Sequence, residues 1–341
     1  MDNKLKLKVF ESFAGIGTQS MALKEANINY ELVGFMENDK IPESIYCHIH
    51  NIDNKLNYGD IKCVDEKTLP DFDFFTYSFP CKNISNAGKS EGILKGVNNS
   101  GLLWECDRII KHKKPKYLFM ENVKNIMSKK HFPSLKEWMD NLENIGYKNY
   151  LKVLNAKDHG GIPQNRERAF MISILGEHKP YEFPKEIDLL LEAKDLMEKD
   201  VDESYYIEYD CNKNDKGQVL IKQATKKGYI ELNVPGVCDL TFPNSKTRRG
   251  RVQEGGKICP TLTATKTPII FIDEEYKARD LTCREYWRLM GIDDYYFDKA
   301  MELNISNAQM YERAGRAIVV PCMTRMFELL FKEYINVKEI N

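Results

Sequence analysis

Residues 7–38 read LKVFESFAGIGTQSMALKEANINYELVGFMEN, and this stretch decides the fold. Residues 7–12 predict a short strand, 17–27 a helix and 30–37 a second strand. Between the first strand and the helix, the motif Phe13-Ala14-Gly15-Ile16-Gly17 supplies two glycines. Glycines at this point let the backbone turn tightly and let a ligand approach the main chain.

The alternation of strand and helix patterns continues through the first half of the chain. Further helices are predicted at about 40–50, 102–112 and 132–146, and further strands at 71–79, 117–123, 150–155 and 168–175. Strands that alternate with helices of this length predict an α/β domain, with a mostly parallel sheet covered by helices on both faces.

The charge pattern changes after about residue 176. Residues 177–210 contain 12 acidic and 4 basic side chains, whereas residues 213–256 contain 9 basic and 4 acidic ones. The net charge of −1 excludes a uniformly basic protein that coats nucleic acid, but it hides this segregation. The basic stretch has short β-like pieces between Gly and Pro turns, which predicts a small β-rich domain. Helical patterns resume at 280–290 and run again from about 306 to 335. The last helix (317–334) has an apolar side, which predicts that it packs against the first domain near the glycine motif.

Cysteine spacing and hydropathy indicate a cytoplasmic protein. The nine cysteines are scattered without a CxxC pair, which is typical of reduced thiols. No apolar run reaches the roughly 18–20 residues that a membrane span needs, and the first residues do not resemble a signal peptide. Cys47, His48 and His50 share one predicted helix without suitable partners, so we expect no metal site.

Two acidic residues follow strand patterns near the glycine motif. Glu37 ends the second predicted strand, where a carboxylate can accept hydrogen bonds from ribose hydroxyls. Asp60, in Gly59-Asp60-Ile61, lies where a third strand would end, and its carboxylate can accept from an adenine amino group. Together they predict a site for an adenosine-containing cofactor. The alternative is an ordinary turn with two surface acids.

Three further motifs carry reactive or charged side chains at strand ends. Cys81, in Ser78-Phe79-Pro80-Cys81-Lys82, follows the most apolar strand and precedes the polar stretch 82–101, a position that suits a nucleophile. Glu121, before Asn122 and Val123, is a candidate general acid. Arg166 and Arg168 alternate along an extended segment, which suits binding of a polar ligand and its phosphate. Taken singly, each motif has a structural alternative: a core thiol for Cys81 and an ion pair for the charged residues.

In their order and spacing, FAGIG, FPC, ENV and QNRER resemble the motifs of the C5-cytosine-specific DNA methyltransferases of bacterial or phage type. Two later segments add to the resemblance: Arg251 to Thr263, with Gly255-Gly256 and Pro260-Thr261-Leu262-Thr263, and Gln309 to Val320, with Ala314-Gly315-Arg316-Ala317. The resemblance covers about residues 5–177 and 246–334. The stretch between them is where this family keeps its variable target-recognition domain.

The resemblance implies that the chain binds S-adenosyl-L-methionine and uses no metal. The residues that it assigns to the cofactor are Phe13, Gly15, Ile16, Gly17, Glu37, Asn38, Asp60, Ile61, Pro80 and Ala317. Among them, Glu37 would bind the ribose, and Asp60 and Ile61 the adenine.

The resemblance also implies the chemistry. Cys81 would attack C6 of the target cytosine, Glu121 would hydrogen-bond or protonate N3, Arg168 would contact the O2 edge, and Arg166 would bind charge at the site or a phosphate. Because C5 is inaccessible in a duplex, the cytosine must be flipped out. Loop 82–101 would close over it. The residues expected to contact DNA are Lys82, Ser85, Lys89, Arg248, Arg249 and Arg251.

The sequence departs from the family pattern at three positions. Lys82 stands where the family usually has Gln after the Cys, and adds a positive charge beside Cys81. Asn38 stands where an aromatic residue often follows the acidic residue, and Arg316 stands where Asn usually follows Gly in the last motif. These departures concern contacts of the loop and the cofactor, and they leave the activity class unchanged.

The expected architecture is a Rossmann-like, S-adenosylmethionine-dependent methyltransferase domain with a small β-rich target-recognition domain. The first would span 1–180 plus 305–341, the second 181–275, and a hinge 276–304. We expect a monomer that methylates a specific short sequence in double-stranded DNA, is nucleoid-associated in a bacterial or phage-infected cell, and has a cognate restriction endonuclease as a genetic partner. The alternatives are an RNA (tRNA) cytosine-5 methyltransferase and a catalytically weak DNA-binding relative.

Overall fold

The computed structural model describes residues 5–81, 83–84, 93, 99–246 and 251–336. Its strands are β1 (Leu7–Ser12), β2 (Tyr30–Met36), β3 (Phe74–Tyr77), β4 (Tyr117–Val123), β5 (Tyr147–Asn155), β6 (Gln164–Asn165), β7 (Glu167–Leu175), β8 (Tyr206–Ile207), β9 (Val219–Lys222), β10 (Tyr229–Leu232), β11 (Gly236–Asp239), β12 (Cys259–Pro260), β13 (Ile269–Ile272) and β14 (Ala278–Asp280). Its α-helices are α1 (Thr18–Glu25), α2 (Lys40–His50), α3 (Leu103–Lys113), α4 (Phe132–Asn144), α5 (Ala156–Gly160), α6 (Cys283–Arg288), α7 (Asp294–Met301), α8 (Asn307–Arg316) and α9 (Val320–Leu330).

The chain divides into two compact units. Unit 1 comprises residues 1–154, 167–185 and 322–341, and unit 2 comprises residues 155–166 and 186–321. Unit 1 contains a six-stranded sheet in the order β2-β1-β3-β4-β7-β5. Strand β1 is parallel to β2 and β3, β3 is parallel to β4, and β7 is antiparallel to β4. The mostly parallel sheet predicted from the first half of the sequence is therefore confirmed.

Large apolar side chains cover the sheet of unit 1. The four residues of β3 are all buried, as expected for a central strand with helices on both faces. Trp138 of α4 contacts the ring of Tyr77 edge to face at 6.0 Å. Phe327 of α9 contacts Phe74 and Phe119 at 5.5 and 5.2 Å. The last helix therefore packs on the first domain, as its apolar stripe predicts.

The position of α9 differs in detail from the expectation that it packs near the glycine motif. Its rings contact β3 and β4, and Thr324 Oγ1 donates to Glu25 at 2.9 Å, at the end of α1 that is farthest from that motif. The helix is also shorter than the predicted run from 306 to 335. Ala317 has extended backbone angles, and Val320 N donates to Met290 O, so α8 and α9 are separate.

Unit 2 is built from short strands and helices. An antiparallel sheet has the order β11-β13-β14-β8, β9 and β10 form a hairpin, and β12 pairs with β6 in parallel. The core of these strands contains Val219, Ile221, Leu232, Ile270 and Ile272, all nearly or fully buried. Within the described part of the chain, the helices are too short or too polar to cross a membrane.

The boundaries of the two units differ from the predicted domains. The segment 276–304, expected as a hinge, contains β14, which lies between β13 and β8, and α6, whose Trp287 is fully buried. Unit 1 resumes at residue 322 and not at 305. The role of 181–275 in target recognition stays a prediction.

Asp60 does not end a third strand. Asn57 forms a single parallel bridge with Phe35 of β2, and the chain then turns away. Asp60 precedes a short 3-10 turn, Ile61–Cys63, and its carboxylate caps that turn by accepting from Lys62 N at 3.0 Å. The side chain of Asp60 is half-buried.

Candidate active site

The glycine motif forms a turn between β1 and α1. Phe13, Gly15 and Gly17 have φ values of 54°, 57° and 75°, in the left-handed region that glycine adopts most readily. The turn is fixed to the end of β2, because Ala14 N donates to Met36 O at 3.1 Å and Gly15 N donates to Glu37 Oε2 at 3.0 Å. Glu37 and the motif are therefore in direct contact.

Asn57 extends this contact to the turn that carries Asp60. Its Oδ1 accepts from Glu37 N at 3.0 Å and from Gly59 N at 2.9 Å, and its Nδ2 donates to Glu37 O at 2.9 Å. Sequence reasoning did not single out Asn57. The sequence did contain an indication of this role: Asn57 precedes Gly59 by two residues, and an Asn side chain commonly accepts a hydrogen bond from the backbone N–H two residues later.

These residues fit an adenosine-containing ligand. A Cβ built at Gly15 or at Gly59 meets no atom of the described residues within 4 Å, so the space over both glycines is open. The half-buried carboxylates of Glu37 and Asp60 supply hydrogen-bond acceptors of the kind that ribose hydroxyls and an adenine amino group need. Ile16 and Ile61 are buried beneath the turns, whereas Asn38 is exposed.

The cysteine motif forms a turn four residues beyond β3. Cys81 is half-buried, and its carbonyl accepts from Ile84 N at 2.9 Å. Ser100 Oγ donates to Pro80 O at 2.8 Å, and Asn122 Nδ2 donates to Phe79 O at 3.1 Å. The two carbonyls before Cys81 are therefore held by side chains. Ser100 is a further residue that sequence reasoning missed.

Glu121 and Arg168 form an ion pair on adjacent strands. Because β4 and β7 are antiparallel with Val123 opposite Arg168, Glu121 and Arg168 lie diagonally on one face of the sheet. Arg168 Nε lies 3.1 Å from Glu121 Oε1, and both side chains are largely buried. The pair fixes the orientation of the carboxyl group.

Arg166 has a different environment from Arg168. It is 3% exposed, and its guanidinium donates to the carbonyl oxygens of Leu262 at 2.7 Å, Gly315 at 2.9 Å and Ala317 at 3.0 Å, all within unit 2. These contacts are hydrogen bonds to carbonyl oxygens, whereas the structural alternative that the sequence left open for this residue was an ion pair. A direct contact of Arg166, or of the buried Ala317, with substrate or cofactor stays a prediction.

A sequence model of the C-5 cytosine-specific DNA methylases matches residues 7–332. The chain belongs to this family. It is therefore a DNA (cytosine-5-)-methyltransferase, and the family implies S-adenosylmethionine as its methyl donor.

Three proteins are similar to this methyltransferase over nearly its whole length. Type II methyltransferase M2.ScrFI of Lactococcus lactis subsp. cremoris is 39% identical over 96% of this chain and 99% of that protein. Orphan methyltransferase M.SPBetaI of Bacillus phage SPbeta is 27% identical over 97% and 99%. The crystal structure of the S. pombe Dnmt2 methyltransferase matches with a TM-score of 0.64 and 22% identity, over 96% and 98%. That likeness confirms the predicted fold class.

The predicted DNA contacts of the methyltransferase are only partly within the described structure. Lys82, Ser85, Lys89, Arg248 and Arg249 lie outside the described residues. Arg251 is described and buried, and its Nη1 donates to Asp239 O at 3.2 Å at the end of β11. Burial lowers the pKa of Arg251.

Within 5–81, 83–84, 93, 99–246 and 251–336, no group of three or more His, Cys, Asp or Glu side chains is placed to hold a metal ion. His50 of α2, considered with Cys47 and His48 as a metal ligand from the sequence, instead contacts the carbonyl of Ile16 in the glycine motif.

Proposed function

We propose that this methyltransferase transfers a methyl group from S-adenosylmethionine to C5 of a cytosine flipped out of a specific short duplex DNA sequence, through a covalent adduct between Cys81 Sγ and C6. The observation that carries the proposal is the hydrogen bond from Asn122 Nδ2 to Phe79 O. It joins the turn that contains Cys81 to the strand residue next to Glu121. The nucleophile and the candidate acid therefore belong to one connected piece of structure.

The roles of the protein side chains follow from the chemistry of cytosine. C5 is a poor nucleophile until a thiolate adds to C6, which moves electron density into the ring. Glu121 would hydrogen-bond or protonate N3 and offset that density, and Arg168 would hold Glu121 while it contacts the O2 edge. After C5 is methylated, loss of the C5 proton to a base returns an electron pair to the ring, and the bond between C6 and sulfur breaks.

The cofactor would occupy the open space over Gly15 and Gly59. S-adenosylmethionine supplies an electrophilic methyl group on a sulfonium sulfur. Glu37 would accept from its ribose hydroxyls, and Asp60 from its adenine amino group. The 3.0 Å contact between Gly15 N and Glu37 supports this assignment, because it puts the carboxylate at the rim of the glycine turn.

The test is Cys81→Ser, with Cys211→Ser as the matched control. We expect Cys81→Ser to abolish transfer of a tritiated methyl group to duplex DNA while S-adenosylmethionine binding remains measurable, because serine is a much weaker nucleophile. Cys211 contacts Tyr276 O in unit 2, so its variant should retain activity. Near-normal turnover by Cys81→Ser would show that Cys81 is not the nucleophile.

The same assay decides between the candidate substrates. Incorporation into duplex DNA supports the proposal, incorporation into tRNA alone supports an RNA cytosine-5 methyltransferase, and none into either supports a catalytically weak DNA-binding relative. Bisulfite sequencing of DNA from cells that express the protein would then give the target sequence. The Type II name of a relative at 39% identity supports a cognate restriction endonuclease as genetic partner, and gel filtration would test the proposed monomer.

A further inference from the structure

A cluster of polar side chains lies buried beneath the glycine motif. Glu11, the residue before the end of β1, is fully buried; its Oε1 accepts from Ser20 Oγ at 2.7 Å and its Oε2 from Tyr46 OH at 3.0 Å. Burial raises the pKa of Glu11 to about 7, although both hydrogen bonds act in the opposite direction. Each of its oxygens therefore has a partner on α1 or α2.

His50 connects this cluster to the backbone of the motif. Its Nδ1 lies 3.3 Å from Lys24 Nζ, and its Nε2 lies 3.2 Å from Ile16 O. An ammonium group only donates, so Nδ1 is the acceptor and Nε2 carries the hydrogen that is donated to Ile16. Burial lowers the pKa of His50 to about 3, which keeps the ring neutral.

The rings of Tyr46 and His50 also pack closely against Gly17. A Cβ at Gly17 would lie 2.4 Å from His50 Nε2 and 2.5 Å from Tyr46 Cε2. Tyr46 is itself stacked on Phe35, with ring centres 4.4 Å apart. Gly15, by contrast, has open space over it. The turn therefore has one side closed by α2 and one side open to a ligand.

A purely structural contact between α1 and α2 would not need these polar groups. Buried polar networks are costly when any member lacks a partner, and well-packed apolar residues often serve stability better. The Nε2 of His50 is aimed at a carbonyl in the middle of the motif, and Tyr46 fixes the carboxylate at the end of β1. Both residues therefore set the conformation of the turn.

We propose that Tyr46 and His50 are positioning residues for the cofactor: they hold the Phe13–Gly17 turn in the conformation that receives S-adenosylmethionine, and they take no part in methyl transfer itself. The inference rests on the proposed function in one respect, since it takes S-adenosylmethionine as the ligand of that turn.

The test measures the Kd of S-adenosylmethionine by isothermal titration calorimetry. His50→Phe keeps an aromatic ring but removes both nitrogens, and we expect its Kd to rise about tenfold, which corresponds to about 1.4 kcal/mol. His48→Phe is the matched control on the same helix and should bind as the wild type does. His50→Gln keeps a donor and should restore the Kd to within about threefold of the wild-type value. At saturating cofactor, kcat of His50→Phe should stay within about twofold, since only binding is affected.

Several results would overturn the inference. A His50→Phe protein with a lower Tm but a wild-type Kd would show a structural role only, and equal weakening by His48→Phe would show a general effect of changing α2. If His50→Phe does not fold, Tyr46→Phe decides: a Kd about threefold weaker supports the inference, and a wild-type Kd overturns it. A wild-type protein that binds no S-adenosylmethionine would instead overturn the proposed function.

Discussion

Replacing Arg166 with Met should destabilise unit 2 without removing a group that contacts the reacting atoms. The guanidinium is 3% exposed and donates to three carbonyl oxygens at 2.7 to 3.0 Å. A hydrogen bond from a charged donor contributes about 1.5–3 kcal/mol, but removal of a buried charge offsets part of that loss. The substitution leaves three carbonyl oxygens without this donor, at about 1–3 kcal/mol each, and after the offset we expect Arg166→Met to cost about 3–5 kcal/mol in total.

The assay compares Arg166→Met with Arg168→Met by thermal unfolding and by kcat/KM. For a unit of this size, such a loss corresponds to a fall in Tm of about 10 °C. Arg168→Met leaves Glu121 without its partner in a largely buried ion pair, so its Tm should also fall, but by less than that of Arg166→Met, which loses three hydrogen bonds to carbonyl oxygens. Its kcat/KM should fall by about two orders of magnitude, as is typical when a charged group at the reacting base is removed.

A reversed outcome would refute this reasoning. If Arg166→Met kept the wild-type Tm and lost activity as Arg168→Met does, the three carbonyl contacts would contribute little to stability. Arg166 would then act on the substrate, as the spacing of the two arginines first suggests. A fall in Tm together with normal kcat/KM in the folded fraction would support the structural role.

Glu11→Gln should change how stability depends on pH. In the wild type the folded protein holds the Glu11 proton up to about pH 7, whereas the unfolded chain releases it near pH 4.5. As the pH rises from 4.5 to 7, the free energy of unfolding of the wild type should therefore fall by about 3 kcal/mol relative to that of the variant. Urea titrations across this range measure the difference, and parallel profiles would contradict it. Arg251→Ala should lower the Tm, because a buried guanidinium loses its contact with Asp239 O. Arg249→Ala should instead weaken DNA binding and reduce its salt slope by about one, and unchanged affinity would count against that contact.

The regular elements of unit 1 could be predicted because their periodicity is local. The strands at 7–12, 30–36 and 117–123 and the helix at 40–50 agree with the sequence patterns almost to the residue. The predictions that differ from the structure concern strands, whose extent depends on pairing with residues that are distant in the sequence. Asn57 pairs with Phe35 over one residue only, so no strand ends at Asp60, and β14 is a strand only because β13 and β8 lie beside it.

The sequence identified most residues of the candidate site, but it did not predict which of them contact one another. Glu121 and Arg168 were each identified from their motifs, and the structure brings them to 3.1 Å. Ser100 and Asn57 were not predicted, because a single Ser or Asn in a polar stretch forms no recognisable sequence motif. Their importance follows only from their hydrogen-bond partners in the structure. Arg166 was identified, but its burial among carbonyls of residues 262–317 could not be read from a spacing of two residues.

The antiparallel pairing of β7 with β4 limits how this part of the chain can vary. The end of β4 lies beside the start of β7, so Arg168, the second residue of β7, is paired with Val123, the last residue of β4. Side chains alternate between the two faces of a strand, and the pairing with β4 fixes the face of Arg168, so a single insertion or deletion between Arg166 and Arg168 would reverse the face of Arg166 relative to Arg168. A mutant library should therefore tolerate many residues at Glu167 but no change of length.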